Sequence, residues 1–238
     1  MSEGPKNIPE GLAELSQLLF TQETLDSTLD RVAGLAVKTI PGCDGAGVAL
    51  VRDGRITNVA ASDELVARLE AAQYRTNEGP CLQAIKQQRM FRLDDTATDE
   101  DWPAFSARAH AHGVSSCLAF PLVVDHLVGA LNLYARRPEA FNQTDHDLAA
   151  VFSAHAAVTL ANAELFASRD ELAEQLKQAL TSRAVIDQAK GILMERESVD
   201  AETAYRMLIT ASQHSHVKLH EVARQLVDLV SRRQTRTR

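Results

Sequence analysis

Cysteine is scarce in this chain of 238 residues: Cys43, Cys81 and Cys117 stand far apart and form no C-x-x-C pair. Such an odd, sparse set argues against a disulfide framework and a structural zinc site. Apolar runs of the ~18–20 residues that a membrane span needs are also missing, since the longest candidates are interrupted by Asp, Asn or Arg. The N-terminus, residues 1–7, is polar and lacks the apolar core of a signal peptide. These absences predict a soluble cytoplasmic protein without membrane contact.

Catalytic signatures are missing too. The sequence contains no Gly-rich phosphate loop, no G-x-S-x-G, no H-E-x-x-H and no kinase or cyclase set. His214, His216 and His220 span a predicted helix junction, but no Cys or carboxylate pair completes a metal site there. The sequence therefore predicts neither an enzyme nor a metal protein, and it predicts no cofactor.

Charge is divided unevenly along the chain, whose 25 Lys+Arg and 32 Asp+Glu give a net charge of −7. Residues 1–166 carry 13 basic and 22 acidic side chains (−9), whereas residues 167–238 carry 12 and 10 (+2). The last stretch, 203–238, carries 7 and 2 (+5). A basic C-terminal part on an acidic protein indicates a surface that faces nucleic acid.

Hydrophobic periodicity predicts an α+β protein. Short apolar strands at Gly45–Val51 and Arg55–Ala61 are joined by a hairpin signal that contains Asp53. From Gln143 to about Glu195 there is no Pro, and no Gly before Gly191, so helical spacing continues almost throughout. Two further helices are predicted, at 200–212 and 218–230. We expect a sensor or dimerisation domain with N-terminal helices at 1–166, a helical connector at 167–182 and a small all-α domain at 183–238.

One apolar stripe on the long helix repeats every seven residues, and Leu176 also lies on it. Its members are Leu165, Leu172, Ala179, Ile186 and Leu193. This spacing is typical of a coiled-coil seam and predicts a homodimer through the connector, although Arg169 and Arg183 interrupt the seam.

The C-terminal part resembles a known RNA-binding module. Residues 183–194 read Arg-Ala-Val-Ile-Asp-Gln-Ala-Lys-Gly-Ile-Leu-Met, and Ala204-x-x-x-Leu208, Ser212, Lys218-Leu219 and Val222-Ala223 follow. This pattern, over about residues 176–231, resembles the ANTAR domain of bacterial transcription antiterminators. The resemblance implies a three-helix bundle that binds paired hairpins of nascent mRNA and thereby prevents terminator formation.

The N-terminal part resembles a GAF domain over about residues 24–166. The matching features are the strand pair near 45–61, Gly79-Pro80-Cys81, 113–116 (Gly-Val-Ser-Ser), 120–122 (Phe-Pro-Leu), 129–133 (Gly-Ala-Leu-Asn-Leu) and 141–145 (Phe-Asn-Gln-Thr-Asp). The resemblance implies a six-stranded antiparallel sheet flanked by helices and dimerisation through helices. The Asn-Lys-Phe-Asp-Glu set of cyclic-nucleotide-binding GAF domains is absent, which argues against a cyclic nucleotide ligand.

Polar residues in the ANTAR-like part are the candidate RNA contacts. Their side chains suit phosphates, base edges or stacking, and the candidates are Arg183, Gln188, Lys190, Gly191, Ser212, Gln213, His214, Lys218 and Arg224. For most of them the alternative is an ordinary solvated helix or turn residue. Gly191 costs ~1 kcal/mol in a helix relative to Ala, so either a neighbouring helix or an RNA backbone should approach it closely.

The GAF-like part offers candidates for a small-molecule pocket over its sheet. They are Tyr74, Cys81, Phe91, Trp102 and Phe105, and ordinary core packing explains them equally well. Cys81 follows a predicted helix start, where a thiol pKa is lowered, so it is either a redox sensor or an inert buried thiol. Cys117 lies in an apolar strand and is predicted to be core. The domain either binds an unidentified small molecule or serves only as a dimerisation platform.

Together these patterns predict a transcription antitermination regulator that binds nascent mRNA under control of a sensor domain. The alternative is a ligand-responsive dimeric signalling protein whose C-terminal bundle binds a protein partner. Salt separates the two, because only binding through phosphate contacts weakens steeply with ionic strength.

Overall fold

Two compact units, Met1–Ala167 and Ser168–Arg238, make up this computed structural model. The structure describes residues 8–21, 23–52, 54–125 and 127–235. The hairpin position Asp53 lies outside the described residues, as does the side chain of Ala179.

The first unit alternates helices and strands as the periodicity predicted. Its elements are α1 (Ile8–Gln17) with a 3₁₀ turn (Leu18–Phe20), α2 (Leu25–Thr39), β1 (Gly45–Arg52), β2 (Arg55–Ala61), α3 (Glu64–Thr76), α4 (Pro80–Gln87), β3 (Phe91–Leu93), α5 (Pro103–Ala111), β4 (Ser116–Val124), β5 (Leu127–Ala135) and the first part of α6 (Gln143–Glu197). Side-chain caps set several starts: Thr24 accepts the N–H of Ser27, and Asp63 accepts the N–H of Val66.

The sheet is antiparallel, with strand order β2-β1-β5-β4-β3. The described residues form five strands, so the expectation of six is wrong for this part of the chain. After the short edge strand β3, aspartate side chains stabilise turns in the backbone, so this segment does not pair with β3 as a sixth strand. Asp95 accepts the N–H of Ala97, and Asp99 accepts the N–H of Trp102.

The two faces of the sheet differ in side-chain size. One face carries large apolar residues, among them Val48, Leu118, Leu131 and Leu133, which share a core cluster with residues of α2 and α6. The other face is covered by α3 and α4. Its central positions are small, apart from Asn132: Gly47, Asn132 and Ala119 are aligned across three strands, and Ala49 pairs with Ala130. Strand periodicity therefore makes one packed face and one with little side-chain bulk.

The first part of helix α6 is strongly apolar, and some of its residues pack in the core of the first unit. Over Gln143–Arg169 it has the length and mean hydropathy of a membrane span, which the sequence analysis did not anticipate. Phe152, Ala156 and Leu160 are fully buried in the core cluster of the sheet, however. Packing within the first unit therefore accounts for part of the hydropathy of this segment, of which 39% is buried.

The second unit is a three-helix arrangement built from the last turns of α6, α7 (Ala201–Ser215) and α8 (Leu219–Thr235). Ala189, Leu208 and Ala223 form its buried centre, one from each helix. Asp200 caps α7 by accepting the N–H of Thr203. Helices α7 and α8 run a few residues past their predicted ends.

The predicted seven-residue stripe divides into two parts. Ile186 and Leu193 pack against the core of the second unit, so they do not continue a seam. Leu165 and Leu172 are exposed, as is Leu176. The same spacing extends upstream through two exposed residues, Val151 and Val158. The exposed part of the repeat thus lies earlier along α6 than the sequence predicted, with Val151, Val158 and Leu165 in the first unit and Leu172 and Leu176 in the second.

Candidate functional site

A short stripe of charge lies on the last part of α6. Arg183, Asp187 and Lys190 are spaced by four and three residues and therefore share one face of the helix. The Lys190 ammonium lies 3.1 Å from Oδ1 of Asp187, and the Arg183 Nε lies 3.9 Å from its Oδ2. Arg183 is largely exposed, whereas only 26% of the Lys190 side chain is accessible. One carboxylate thus lies within ion-pair distance of two cations.

This stripe borders a cleft of about 440 Å³ between α6 and α7, and the cleft contains a residue that the sequence analysis missed. Its lining residues are Ser182, Arg183, Ile186, Asp187, Lys190 and Tyr205. The Tyr205 side chain is 40% exposed. The sequence did contain a signal for Tyr205. It follows Ala204, which is buried, and consecutive residues lie about 100° apart around a helix, so Tyr205 falls at the edge of the buried face. The arrangement joins two cations to an accessible aromatic ring.

Gln188 and Gly191 lie on the outer face of α6, the exposed side opposite the buried Ala189. Gln188 is two positions before Lys190 and about 160° from it around the helix axis, whereas Gly191 is one turn after Asp187 and about 40° from it. Both Gln188 and Gly191 are exposed. A methyl group added at Gly191 would meet no atom within 4 Å. Close approach of a neighbouring helix within this chain is therefore the wrong explanation for Gly191, and its surface is open to a macromolecule.

The junction between α7 and α8 holds the second group of candidates. Gln213, His214 and Lys218 are exposed. The Ser212 hydroxyl instead donates to the carbonyl oxygen of Val217 at 2.6 Å, and the Ser212 carbonyl accepts the Val217 N–H. Ser212 therefore fixes the junction, and its hydroxyl proton is not available to a base.

The remaining charged candidate, Arg224, is exposed on α8, one turn beyond His220. Among residues 8–235, apart from those that the structure does not describe, no group of three His, Cys, Asp or Glu side chains forms a metal site. The nine predicted contacts thus fall into the α6–α7 cleft, the outer face of α6, the α7–α8 junction and one position on α8.

The five predicted pocket residues are distributed over two core clusters and two surface clefts. Cys81 and Phe105 are fully buried in two neighbouring core clusters. Phe91 and Trp102 pack edge to face at 5.9 Å and border one surface cleft, whereas Tyr74 borders another. Core packing accounts for most of these side chains, as the alternative interpretation held.

The environment of the thiols disfavours redox chemistry. Cys43, Cys81 and Cys117 are all buried. Burial raises the pKa of Cys81, and the nearby Glu70 carboxylate raises it further. A thiolate is the reactive form, so a raised pKa makes Cys81 a poor nucleophile despite its place at a helix start.

A buried polar network lies beneath α3. The Glu70 carboxylate accepts hydrogen bonds from Asn132 Nδ2 at 2.7 Å, the Tyr134 hydroxyl at 2.7 Å and the Tyr74 hydroxyl at 2.6 Å. Gln73 donates to the Tyr134 oxygen and accepts the Cys81 N–H. Burial raises the pKa of Glu70, and the three hydrogen bonds to it act in the opposite direction. The sequence analysis did not single out Glu70.

Family comparison identifies both units. The sequence profile of the GAF domain matches residues 22–161, and that of the ANTAR domain matches residues 174–227. The first match spans more than half of the chain, so the protein belongs to the GAF domain family. It joins a GAF domain to an ANTAR domain, which confirms the predicted architecture. Both domains are regulatory in kind.

Solved structures share the fold of the first unit. The GAF domain of a phosphoenolpyruvate-protein phosphotransferase from Coxiella burnetii superposes with a TM-score of 0.52 at 16% identity, covering 68% of this chain and 97% of that one. Free methionine-R-sulfoxide reductase from Staphylococcus aureus, in reduced form, gives 0.51 at 14%, covering 67% and 99%. The substrate complex of the Neisseria meningitidis reductase gives 0.51 at 15%, covering 69% and 96%.

These likenesses establish the α+β fold alone, because one fold carries regulatory domains and enzymes. No curated protein matches the chain.

Proposed function

We propose that this protein is a cytoplasmic transcription antitermination regulator that binds hairpins of nascent mRNA through its ANTAR domain. The GAF domain would control that binding in response to a signal. One observation carries the proposal: the half-exposed ring of Tyr205 shares a cleft with Arg183 and Lys190. The family match to an ANTAR domain at residues 174–227 supports it.

The cleft has the chemistry that RNA loops require. Unpaired loop bases stack on flat aromatic side chains, while cations beside them hold the phosphates. Tyr205 would take one base, and Arg183 and Lys190 would bind the flanking backbone. Gln188 and Gly191 on the outer face of α6, and Gln213, His214 and Lys218 at the junction, would extend the contact to further nucleotides.

Binding alone suffices for regulation, because an RNA that has two competing folds shifts toward the one that is bound. At a free protein concentration 100-fold above Kd, the bound hairpin gains ~2.7 kcal/mol. A gain of that size favours the hairpin over an overlapping terminator without any bond being made or broken, so the proposal needs no enzyme activity.

Dimerisation fits the pairing of hairpins. Val151, Val158, Leu165 and Leu172 present exposed apolar side chains at seven-residue intervals along α6. A second copy of the chain would cover this stripe, and the resulting homodimer would carry two ANTAR domains. Each ANTAR domain would then bind one hairpin.

The direct test is ultraviolet crosslinking of the tagged full-length protein in cells, followed by sequencing of the bound RNA. The proposal predicts enrichment of leader transcripts with paired hairpins upstream of terminators. Tyr205→Ala should abolish that enrichment. The matched control is Met207→Ala, which truncates a side chain of similar exposure (39%) on the same helix but outside the cleft, and which should leave the enrichment intact. Recovery of a protein partner without RNA would favour the alternative function.

A further inference from the structure

Among the residues that the structure describes, no cation pairs with the buried carboxylate of Glu70. Its hydrogen-bond partners Asn132, Tyr74 and Tyr134 are all neutral. Buried carboxylates are usually paired with a cation or a metal, because desolvation of a lone charge is costly. Burial therefore penalises the carboxylate form of Glu70 and raises its pKa, and a cationic ligand would compensate for that penalty.

A second buried group also lacks a partner. A carboxylate only accepts hydrogen bonds, so the Asn132 amide must turn its nitrogen toward Glu70 and its oxygen away. Asn132 is fully buried, and within the part of the chain that the structure describes its Oδ1 has no hydrogen-bond partner. An unsatisfied buried acceptor costs about 1–3 kcal/mol, and a ligand that donates a hydrogen bond would remove that cost.

The residues of the sheet next to Glu70 and Asn132 have small side chains. Gly47 and Ala119 flank Asn132 on the neighbouring strands, and Ala49 pairs with Ala130 one step further along. A methyl group at Gly47 would lie 2.4 Å from Oε1 of Glu70, so only glycine leaves room for the carboxylate here. Small residues thus surround the two acceptors.

An acidic surface cleft of about 540 Å³ shares one residue, Tyr74, with the network. Three carboxylates border it, those of Asp30, Asp63 and Glu64, and no Lys or Arg is among its described lining residues. Asp63 also caps α3, and Glu64 pairs with Arg68. Tyr74 separates this cleft from the buried site, because its side chain borders the cleft while its hydroxyl binds Glu70.

We propose that the GAF domain binds a small aliphatic amine in its ammonium form at Glu70 and Asn132. The ammonium group carries three donors and no acceptor, so it matches the Glu70 carboxylate and the free Oδ1 of Asn132. It reaches them by displacing the Tyr74 hydroxyl, and the rest of the amine lies in the acidic cleft. A second ammonium group on the same ligand is favoured there, whereas a ligand carboxylate is repelled.

This inference deepens the sensor part of the proposed function by naming the class of signal. It concerns residues of the first unit only and requires no RNA. Its test therefore uses the full-length protein without nucleic acid, so that a failure here is distinguishable from a failure of RNA binding.

Isothermal titration with putrescine and with spermidine at physiological salt tests the site. We expect saturable binding of one amine per chain and no binding of 1,4-butanediol, the neutral analogue of putrescine. Glu70→Gln keeps the shape of the side chain and should weaken binding about tenfold or more, since a charged hydrogen bond is lost. Glu100→Gln, which removes one exposed carboxylate elsewhere in the domain, should bind as the natural protein does.

Tyr74→Phe should change the amine affinity in the opposite direction to Glu70→Gln and so provides an independent test. Removal of the hydroxyl leaves Oε2 of Glu70 free for the ligand, which then no longer has to break the hydrogen bond between Tyr74 and Glu70. Affinity should therefore rise about threefold or more, which corresponds to part of the net energy of one hydrogen bond. This variant decides the question even if Glu70→Gln fails to fold. Three results would each overturn the proposal. They are amine binding no tighter than ~1 mM, equal amine affinity in Glu70→Gln and Glu100→Gln, and unchanged amine affinity in Tyr74→Phe.

Discussion

The Lys190 ammonium lies 3.1 Å from the Asp187 carboxylate one turn earlier on the same helix. The cation that we expect to contact RNA is therefore already paired in the free protein. An exposed pair of this kind is worth little, ~0–1 kcal/mol, so a phosphate can replace Asp187 at small cost. Asp187 orients Lys190 and Arg183 but also competes with the ligand that they would bind.

Substitution of Asp187 separates these two effects. Asp187→Asn should tighten binding of hairpin RNA by roughly 0.5–1 kcal/mol, because the carboxylate that competes with phosphate is removed. Lys190→Ala should weaken binding and lower the slope of log K against log salt by about one unit. Gel-shift titrations at several salt concentrations measure both quantities. If Asp187→Asn weakens binding, the carboxylate itself contacts RNA and the cleft has been misassigned.

The ring of Tyr205 should act by stacking. Tyr205→Ala should cost about 1–3 kcal/mol of RNA affinity, whereas Tyr205→Phe should retain most of it because the ring remains. Fluorescence anisotropy with a labelled hairpin measures the difference. Circular dichroism serves as the folding control, and a loss as large in Tyr205→Phe as in Tyr205→Ala would contradict stacking and point to the hydroxyl.

Substitution of Gly191 should affect the stability of the ANTAR unit and its affinity for RNA in opposite directions. Since an added methyl group meets no atom within 4 Å, Gly191→Ala should raise the free energy of unfolding of the ANTAR unit by about 0.5–1 kcal/mol. The same methyl group should weaken RNA binding where the backbone approaches α6. Chemical denaturation and gel shift are the two measurements. Stabilisation without any loss of affinity would show that RNA does not approach this face.

Exposed leucines on α6 should hold the dimer together. Leu172 and Leu176 are 66% and 60% exposed in the single chain, so their replacement should not disturb its core. Leu172→Asp combined with Leu176→Asp places charge in the predicted seam and should convert the dimer to monomer in light scattering. A natural protein that is already monomeric at tens of micromolar, the order expected of a weak coil, would rule out this seam.

Much of the fold was predictable because it rests on local patterns. The absence of Pro between Gln143 and Glu195 predicted the long helix, and the short apolar runs at Gly45–Val51 and Arg55–Ala61 predicted β1 and β2. Gly79-Pro80 marked the start of α4, as a proline in the first helical turn does. Each of these signals acts over a few residues and needs no tertiary context.

The sites were less predictable because they depend on residues distant in sequence. Glu70 resembles a solvated helix residue until Asn132 and Tyr134, more than sixty positions later, supply its hydrogen bonds. Ser212 appeared suited to a base, but its hydroxyl is used by the turn that it belongs to. The seven-residue spacing at Ile186 and Leu193 reflected the core of the bundle rather than a dimer seam.

RNA recognition by the ANTAR domain can be tested by one binding comparison. The full-length protein and residues 168–238 should be titrated, at ~150 mM salt, with a hairpin recovered from cells and with a scrambled RNA of equal length. We expect the full-length protein to prefer the hairpin and Tyr205→Ala to reduce this preference. We also expect affinity to fall steeply as salt is raised. Equal affinity of the full-length protein for the hairpin and the scrambled RNA would contradict RNA recognition by the ANTAR domain.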